Sequence, residues 1–265
     1  MYLPDHFRET DPAEVAALIA AYPLAAIVAQ TDQGLLANHI PVMADGDAAL
    51  IGHVALNNDM HRIIPDDTPV LAIFRGQDGY VSPNLYPTKA VHHRHVPTWN
   101  YQVVHVAGRI SFQHDDKVKR AVVGRLTRDH ERAMNGDAGW RMADAPRDYM
   151  AGMLDAIVAF RIDITGISAK AKLSQNRAAE DHAGVIGSFD ARGLDVMAAR
   201  MRRDRADWGG GHKKTAGFTR RFLSEQCLAG QSSTHAQSAV DADRLAVQIA
   251  RFDDEPRQRG IFLGA

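Results

Sequence analysis

The stretch VPTWNYQVVHVAG, residues 96–108, decides how the rest of the chain is read. It opens with Pro97, as a loop would, and continues with the two-residue alternation of a β-strand. By that period Trp99, Tyr101, Val103, His105 and Ala107 share one face, and Asn100, Gln102, Val104 and Val106 share the other. Two readings are open. Its aromatics could pack a core while one end stays wet, as Tyr and Trp often do. Alternatively a flat ligand lies against the sheet, with Trp99 or Tyr101 as its wall and the amides of Asn100 and Gln102 on its polar edge.

Working outward, residues 98–112 read as the longest strand of the chain. Upstream, Asp11, Pro12 and Glu14 form an N-cap, a first helical position and a near capping box. The spacing of Val15, Leu18, Ile19 and Tyr22 then predicts a helix. LAAIVAQ (24–30), LLANHIPVM (35–43) and ALIGHVAL (49–56) are short apolar runs separated by the turn formers TDQG and ADGD. Tight turns between three strands imply an antiparallel meander, because parallel neighbours need long crossovers. PVLAIFR (69–75) predicts another strand, GQDG (76–79) a hairpin turn, YVSP (80–83) a short return strand and 84–95 a loop. Downstream, 115–131 predicts a helix lying on the sheet through Val118, Val122 and Leu126, and FRIDITGI (160–167) an alternating strand. The expected architecture is α+β: a closed or nearly closed barrel of six or seven mainly antiparallel strands with peripheral helices.

The 265 residues carry a net charge of −1, so no global field draws the chain to nucleic acid or anionic lipid. The single cysteine, Cys227, excludes an intrachain disulfide and suggests a reducing, cytoplasmic setting. The N-terminus carries acids and lacks the apolar core of a signal peptide, and no run approaches the ~20 apolar residues of a membrane helix. From Arg200 to Arg221, eight Lys and Arg stand against Asp204 and Asp207, and a Ser-, Gln- and Ala-rich stretch follows. The expected division is a domain over 1–203 and a basic, then polar, weakly ordered tail over 204–265.

MYLPDHF at the start, NHIPV (38–42), LIGHVALNN (50–58), GYVSPNLY (79–86), VPTWNY (96–101 within the opening stretch) and KLSQNR (172–177) stand in this order. Together they resemble the PaiB-like family of FMN-binding split-barrel proteins, often described as negative transcriptional regulators. QVVHVAG more distantly resembles a flavin-contacting strand of the pyridoxamine-phosphate-oxidase-like barrels. The resemblance implies a homodimer with FMN in the groove between subunits. It leaves a flavin-dependent oxidoreductase acting on a small molecule, or a haem-binding split barrel, as the alternatives.

FMN needs cations or amides for its phosphate and hydrogen-bonding groups for its ring edge. No glycine-rich phosphate cradle is present, so side chains must do this work. Candidate cations are Arg62, Lys89, Lys170 and Lys172. Lys172 is preferred because Ser174, Gln175 and Asn176 follow it in one motif. His53, Asn57 and Asn58 are uncharged helpers, Asn100 and Gln102 serve the ring edge, Trp99 or Tyr101 the ring wall, and His105 shares their strand. His92, His93 and His95 lack a carboxylate at ligand spacing, so no metal is expected. No catalytic residue is assigned: no G-x-S-x-G is present, and any chemistry would be the flavin's. A DNA partner follows from the family description but finds no support in the overall charge.

Overall fold

The computed structural model describes residues 1–208. Most of the tail expected from 204 onward, residues 209–265, lies outside the described residues. A two-residue strand, β1 (Arg8–Glu9), precedes α1 (Pro12–Ala21). Asp11 caps α1 by accepting from the Ala13 amide at 2.8 Å. Glu14 does not close the expected capping box: it pairs with Arg200 and Arg203 of the last helix, and Glu9 accepts from the Asp11 amide instead.

β2 (Leu24–Thr31), β3 (Gly34–Asp45) and β4 (Ala49–Ala55) form the predicted meander, each paired antiparallel to the next. A short helix, α2 (Met60–Ile63), leads to β5 (Thr68–Val81). Here the sequence expectation needs correcting. GQDG is not a hairpin turn: β5 runs through it, and its pairing with β6 (Thr98–Gln113) shifts register between Arg75 and Asp78. The glycine-rich stretch serves as a β-bulge, which bends a strand without ending it. The segment between β5 and β6 holds a 3-10 turn (Pro83–Leu85) and the short helix α3 (Lys89–His92).

α4 (Asp116–Asn135) and α5 (Arg147–Asp155) come before β7 (Ile157–Lys172). β7 pairs with β4 along one edge and with β6 along the other. The sheet order β1-β7-β4-β3-β2-β5-β6, with the additional β6–β7 pairing, therefore closes a six-stranded antiparallel barrel. Closure gives each of these strands a neighbour on both sides, although β3 meets β4 only over Val42–Asp45. Inward residues alternate as expected, with Ile27, Leu50, Ala72, Phe74, Val106, Ile110, Phe160 and Ile162 all buried. Leu18 and Ile19 of α1 join this core.

β6 and β7 are longer than the barrel requires, and their far ends build a second core. There Ala171 and Leu173 pack with Val81, Tyr86 and residues of α6 (Ala179–Ala191) and α7 (Asp195–Trp208). The boundary drawn at 203 thus falls inside a helix. Arg200, counted among the basic residues of the tail, has a side chain only 9% exposed and forms ion pairs with Glu9, Glu14 and Asp204. Arg202 pairs with Asp190 and Arg203 with Glu14. These arginines fasten α7 to the barrel, so their charge is spent locally.

Candidate functional site

Two of the most distinctive motifs meet in space. Asn100 of VPTWNY is wholly buried, and its amide nitrogen lies 3.0 Å from the Ser174 hydroxyl of KLSQNR. Ser174 is itself unusual: its φ of 64° lies in the left-handed region. Around it Gln175 folds back, accepting from the Leu173 amide at 2.7 Å and donating to the Ala171 carbonyl. The Arg177 amide donates to the Ser174 carbonyl at 3.0 Å, closing the turn that ends β7.

On the opposite, outer face of the same strands, Tyr101 pairs with Lys172, Val103 with Lys170 and His105 with Ser168. Directly paired residues of an antiparallel ladder share a face. The Lys172 ammonium donates to the Trp99 carbonyl at 2.7 Å and to the Thr98 hydroxyl. Burial holds its pKa below the ordinary lysine value, helped by the positive charges of Lys170 and Arg177. Lys170, only 7% exposed, donates to the Tyr2 carbonyl at 3.2 Å. Its ammonium lies within 6 Å of the rings of Tyr2, Phe7 and Tyr101. Among the described residues, neither lysine pairs with a carboxylate. Beside them Trp99 is 51% exposed, and its ring meets Tyr80 edge-on at 5.8 Å. Thus the first, fourth, fifth and sixth motifs contribute to one cation-rich, aromatic patch.

The remaining candidates are dispersed. Gln102 shares the inward face with Asn100, close to Gly76. Asn58 accepts from the Met60 amide at 3.0 Å and faces Asn38 at 3.4 Å, tying the end of β4 to β3. Asn57 is exposed next to it. His53 is half-buried on β4, and burial lowers its pKa. Arg62 pairs with Asp59, and Lys89 donates to Asn84. His105 lies half-buried in the middle of the outer face, its pKa lowered chiefly by burial.

Sequence reasoning did not single out Thr98, Arg177, Tyr80, Tyr2 or Phe7. Their signal was available, since each stands in or beside a motif, but their convergence depends on the β6–β7 register. Two described clefts lie elsewhere, both bordered by α4. One, of about 480 Å³, is lined by Arg128, Arg132, Trp140 and Arg141. The other, of about 420 Å³, is lined by Val118, Val122, Arg125 and Phe160. Among the described residues no cluster of His, Cys, Asp and Glu is arranged to hold a metal ion. No described helix is long and apolar enough to cross a membrane.

Six antiparallel strands closed on themselves, with helices outside, make this an α+β split barrel. The chain belongs to the family described as "Putative FMN-binding domain", which matches residues 1–166, and the cofactor of that family is FMN. It is 30% identical to the Bacillus subtilis protein named protease synthase and sporulation protein PAI 2, over 70% of this chain and 87% of that one. It is 33% identical to an uncharacterised protein of Aspergillus fumigatus, over 56% of this chain and 61% of the other. Among solved structures, the flavocytochrome Anf3 from Azotobacter vinelandii has a similar fold. Its TM-score is 0.50 at 16% identity, covering 67% of this chain and 75% of that one.

Proposed function

We propose that two copies of this chain hold FMN between them at the Lys170–Lys172 patch, and that the loaded dimer works as a flavin-dependent regulatory protein. One observation carries the flavin site: two neighbouring ammonium groups, without a carboxylate partner, flank exposed aromatic rings where the family motifs converge. Unpaired, partly buried cations suit a phosphate dianion, because charge-assisted hydrogen bonds strengthen as water is removed. The donor set therefore fits FMN. Lys172 and Lys170 would hold the phosphate, Trp99, Tyr80 and Tyr101 would flank the ring, and Thr98 would add a hydroxyl. Bound FMN would supply reversible electron and hydride uptake on its ring.

The second copy is argued from the outer sheet face. Ala26 and Val28 of β2 pair with Ile73 and Leu71 of β5, which pair in turn with His105 and Ala107 of β6. This row is half-buried at most and continues into the lysine patch. A contiguous apolar face beside a polar site marks an interaction surface.

The regulatory reading rests on the B. subtilis relative, whose name ties it to sporulation and protease synthesis. A small-molecule oxidoreductase is the second reading. His105 favours it, since a half-buried imidazole kept neutral at the centre of the outer face can exchange a proton. The absorbance spectrum of the purified full chain tests the cofactor: oxidised-flavin bands are expected, and a Soret band or no chromophore would reject the assignment. Bleaching by NADH or NADPH with steady turnover would favour the oxidoreductase. Specific DNA binding that survives moderate salt would favour the regulator, whereas attraction by loose basic residues alone would weaken steeply.

A further inference from the structure

We infer that the buried Asn100–Ser174 pair is a strut that positions Lys172 for the flavin phosphate from the opposite face of the sheet. The inference rests on the reading that Lys172 meets that phosphate. Its basis is the turn that ends β7. Asn100 lies between the outward Trp99 and Tyr101, and Ser174, beyond the last residue of the strand with its φ in the left-handed region, is turned inward to meet it. The Lys172 ammonium is anchored to Thr98 and to the Trp99 carbonyl, the two residues immediately before Asn100. The same short piece of β6 therefore grips the end of β7 on both faces, through the ammonium outside and through the amide inside.

The inner grip has no other explanation in the packing. Asn100 is 0% exposed, and apart from Ser174, at 3.0 and 3.2 Å, its side chain meets only the Met201 sulfur at 3.8 Å. Met201 belongs to the second core, so the amide stands at the edge of an apolar cluster. An amide is costly in such a place unless its hydrogen bonds are made. A glycine would adopt the φ of 64° at position 174 with less strain. Serine at that position gains from its hydroxyl, which pairs with Asn100 and also lies within reach of the Tyr86 hydroxyl. Without this link the turn at 173–177 would be free to shift, and the ammonium would shift with it. Asn100 thus acts through Lys172 as a positioning residue and does not itself touch the flavin.

The test compares FMN with riboflavin, which lacks the phosphate, by titrating the full-length chain and following flavin fluorescence. The unsubstituted protein is expected to prefer FMN. Lys172→Met should lose most of that preference, and Asn100→Ala should lose it by about tenfold or more, equivalent to ~1.4 kcal/mol. Ser174→Gly accommodates the same backbone conformation and removes the hydroxymethyl group, so it should lose the preference to a similar degree, whatever the unpaired Asn100 amide costs in melting temperature. It also keeps the test open if Asn100→Ala folds poorly. Because the two residues act as one unit, the double variant should lose little more than either single variant. Riboflavin affinity should stay within about twofold throughout. If Lys172→Met loses the preference while Ser174→Gly keeps it, the strut is refuted and the phosphate site stands. If Lys172→Met keeps the preference, the phosphate assignment fails and takes the strut with it. Equal weakening of both flavins by Ser174→Gly would show a merely structural role and refute positioning.

Discussion

Gly52, Gly79 and Gly108 stand in or beside the family motifs, and each sits where a Cβ would collide with the fold. At Gly52 it would lie 2.5 Å from the Phe160 ring, and at Gly79 2.8 Å from the Phe189 ring. At Gly108 it would lie 2.5 Å from Ile162 and 2.6 Å from the Asp163 carbonyl oxygen. Backbone cannot yield as a side chain can, so Gly108→Ala should destabilise by about 1–3 kcal/mol. A lower urea midpoint with an unchanged slope would show it, and an unchanged midpoint would refute it. His53 is a second case at this scale. Burial lowers its pKa, and its Nδ1 has no partner. The neutral form is therefore favoured by folding. This contribution is present above the ordinary histidine value of about 6.5 and is lost as pH falls toward the lower folded value. The imidazole should titrate below 6.5 by NMR, and His53→Leu should lose less stability than the unsubstituted protein between pH 7 and pH 5. A midpoint at or above 6.5 would contradict this account. In the sequence His53 read as a helper for the flavin phosphate. The burial of its ring, like the close approach at the glycines, is not visible without partners that lie far away in the chain.

α7 is held by a cation surrounded by three acids. Arg200 pairs with Glu9 of β1, Glu14 of α1 and Asp204 of its own helix. Removing the arginine would leave three carboxylates facing one another, so Arg200→Met should cost about 3–5 kcal/mol. Thermal melting checks this, and a loss well under 1 kcal/mol would mean that water already screens the cluster. Asp204 is the soft point of the cluster: burial, with help from Glu9 and Glu14, raises its pKa to about 6. The sign follows directly. Folding favours the protonated form, so the stabilising contribution is complete below the ordinary value of 3.8 and fades as pH rises through about 6. Asp204→Asn should therefore flatten the loss of stability between pH 5 and pH 7.5, and an unchanged slope would place the titration elsewhere. In the sequence these residues read as part of a basic run. Their acid partners are about 190 residues upstream, which is why the run looked like a free charge patch.

Residues 1–208 form an extended β6–β7 pair around which a barrel closes on one side and a helical core on the other. The proposed dimer places the apolar outer row against a second copy, so Ile73→Arg should abolish association and flavin retention together. Sedimentation velocity read at the flavin absorbance and at 280 nm checks both, and a monomer that keeps its flavin would refute the shared site. Much of this architecture was legible. Apolar runs separated by turn formers in 24–56 announced the meander, Asp11 announced the helix it caps, Val118, Val122 and Leu126 announced the helix on the sheet, and the ordered motifs announced the flavin family. GQDG misled, because glycine-rich residues serve a bulge as well as a turn, and only the pairing partner distinguishes the two. VPTWNY carried both its readings into the structure. Trp99 and Tyr101 face outward with Lys172, while Asn100 faces a core. The sequence by itself determined the alternation, the caps and the motifs, since these depend on neighbours a few residues apart. Tertiary structure alone decided which face of the strand is buried and which stands beside the lysines. That choice was made by the pairing of residues 101 and 172, seventy-one apart, and by a second core assembled from α6 and α7, which no local pattern encodes.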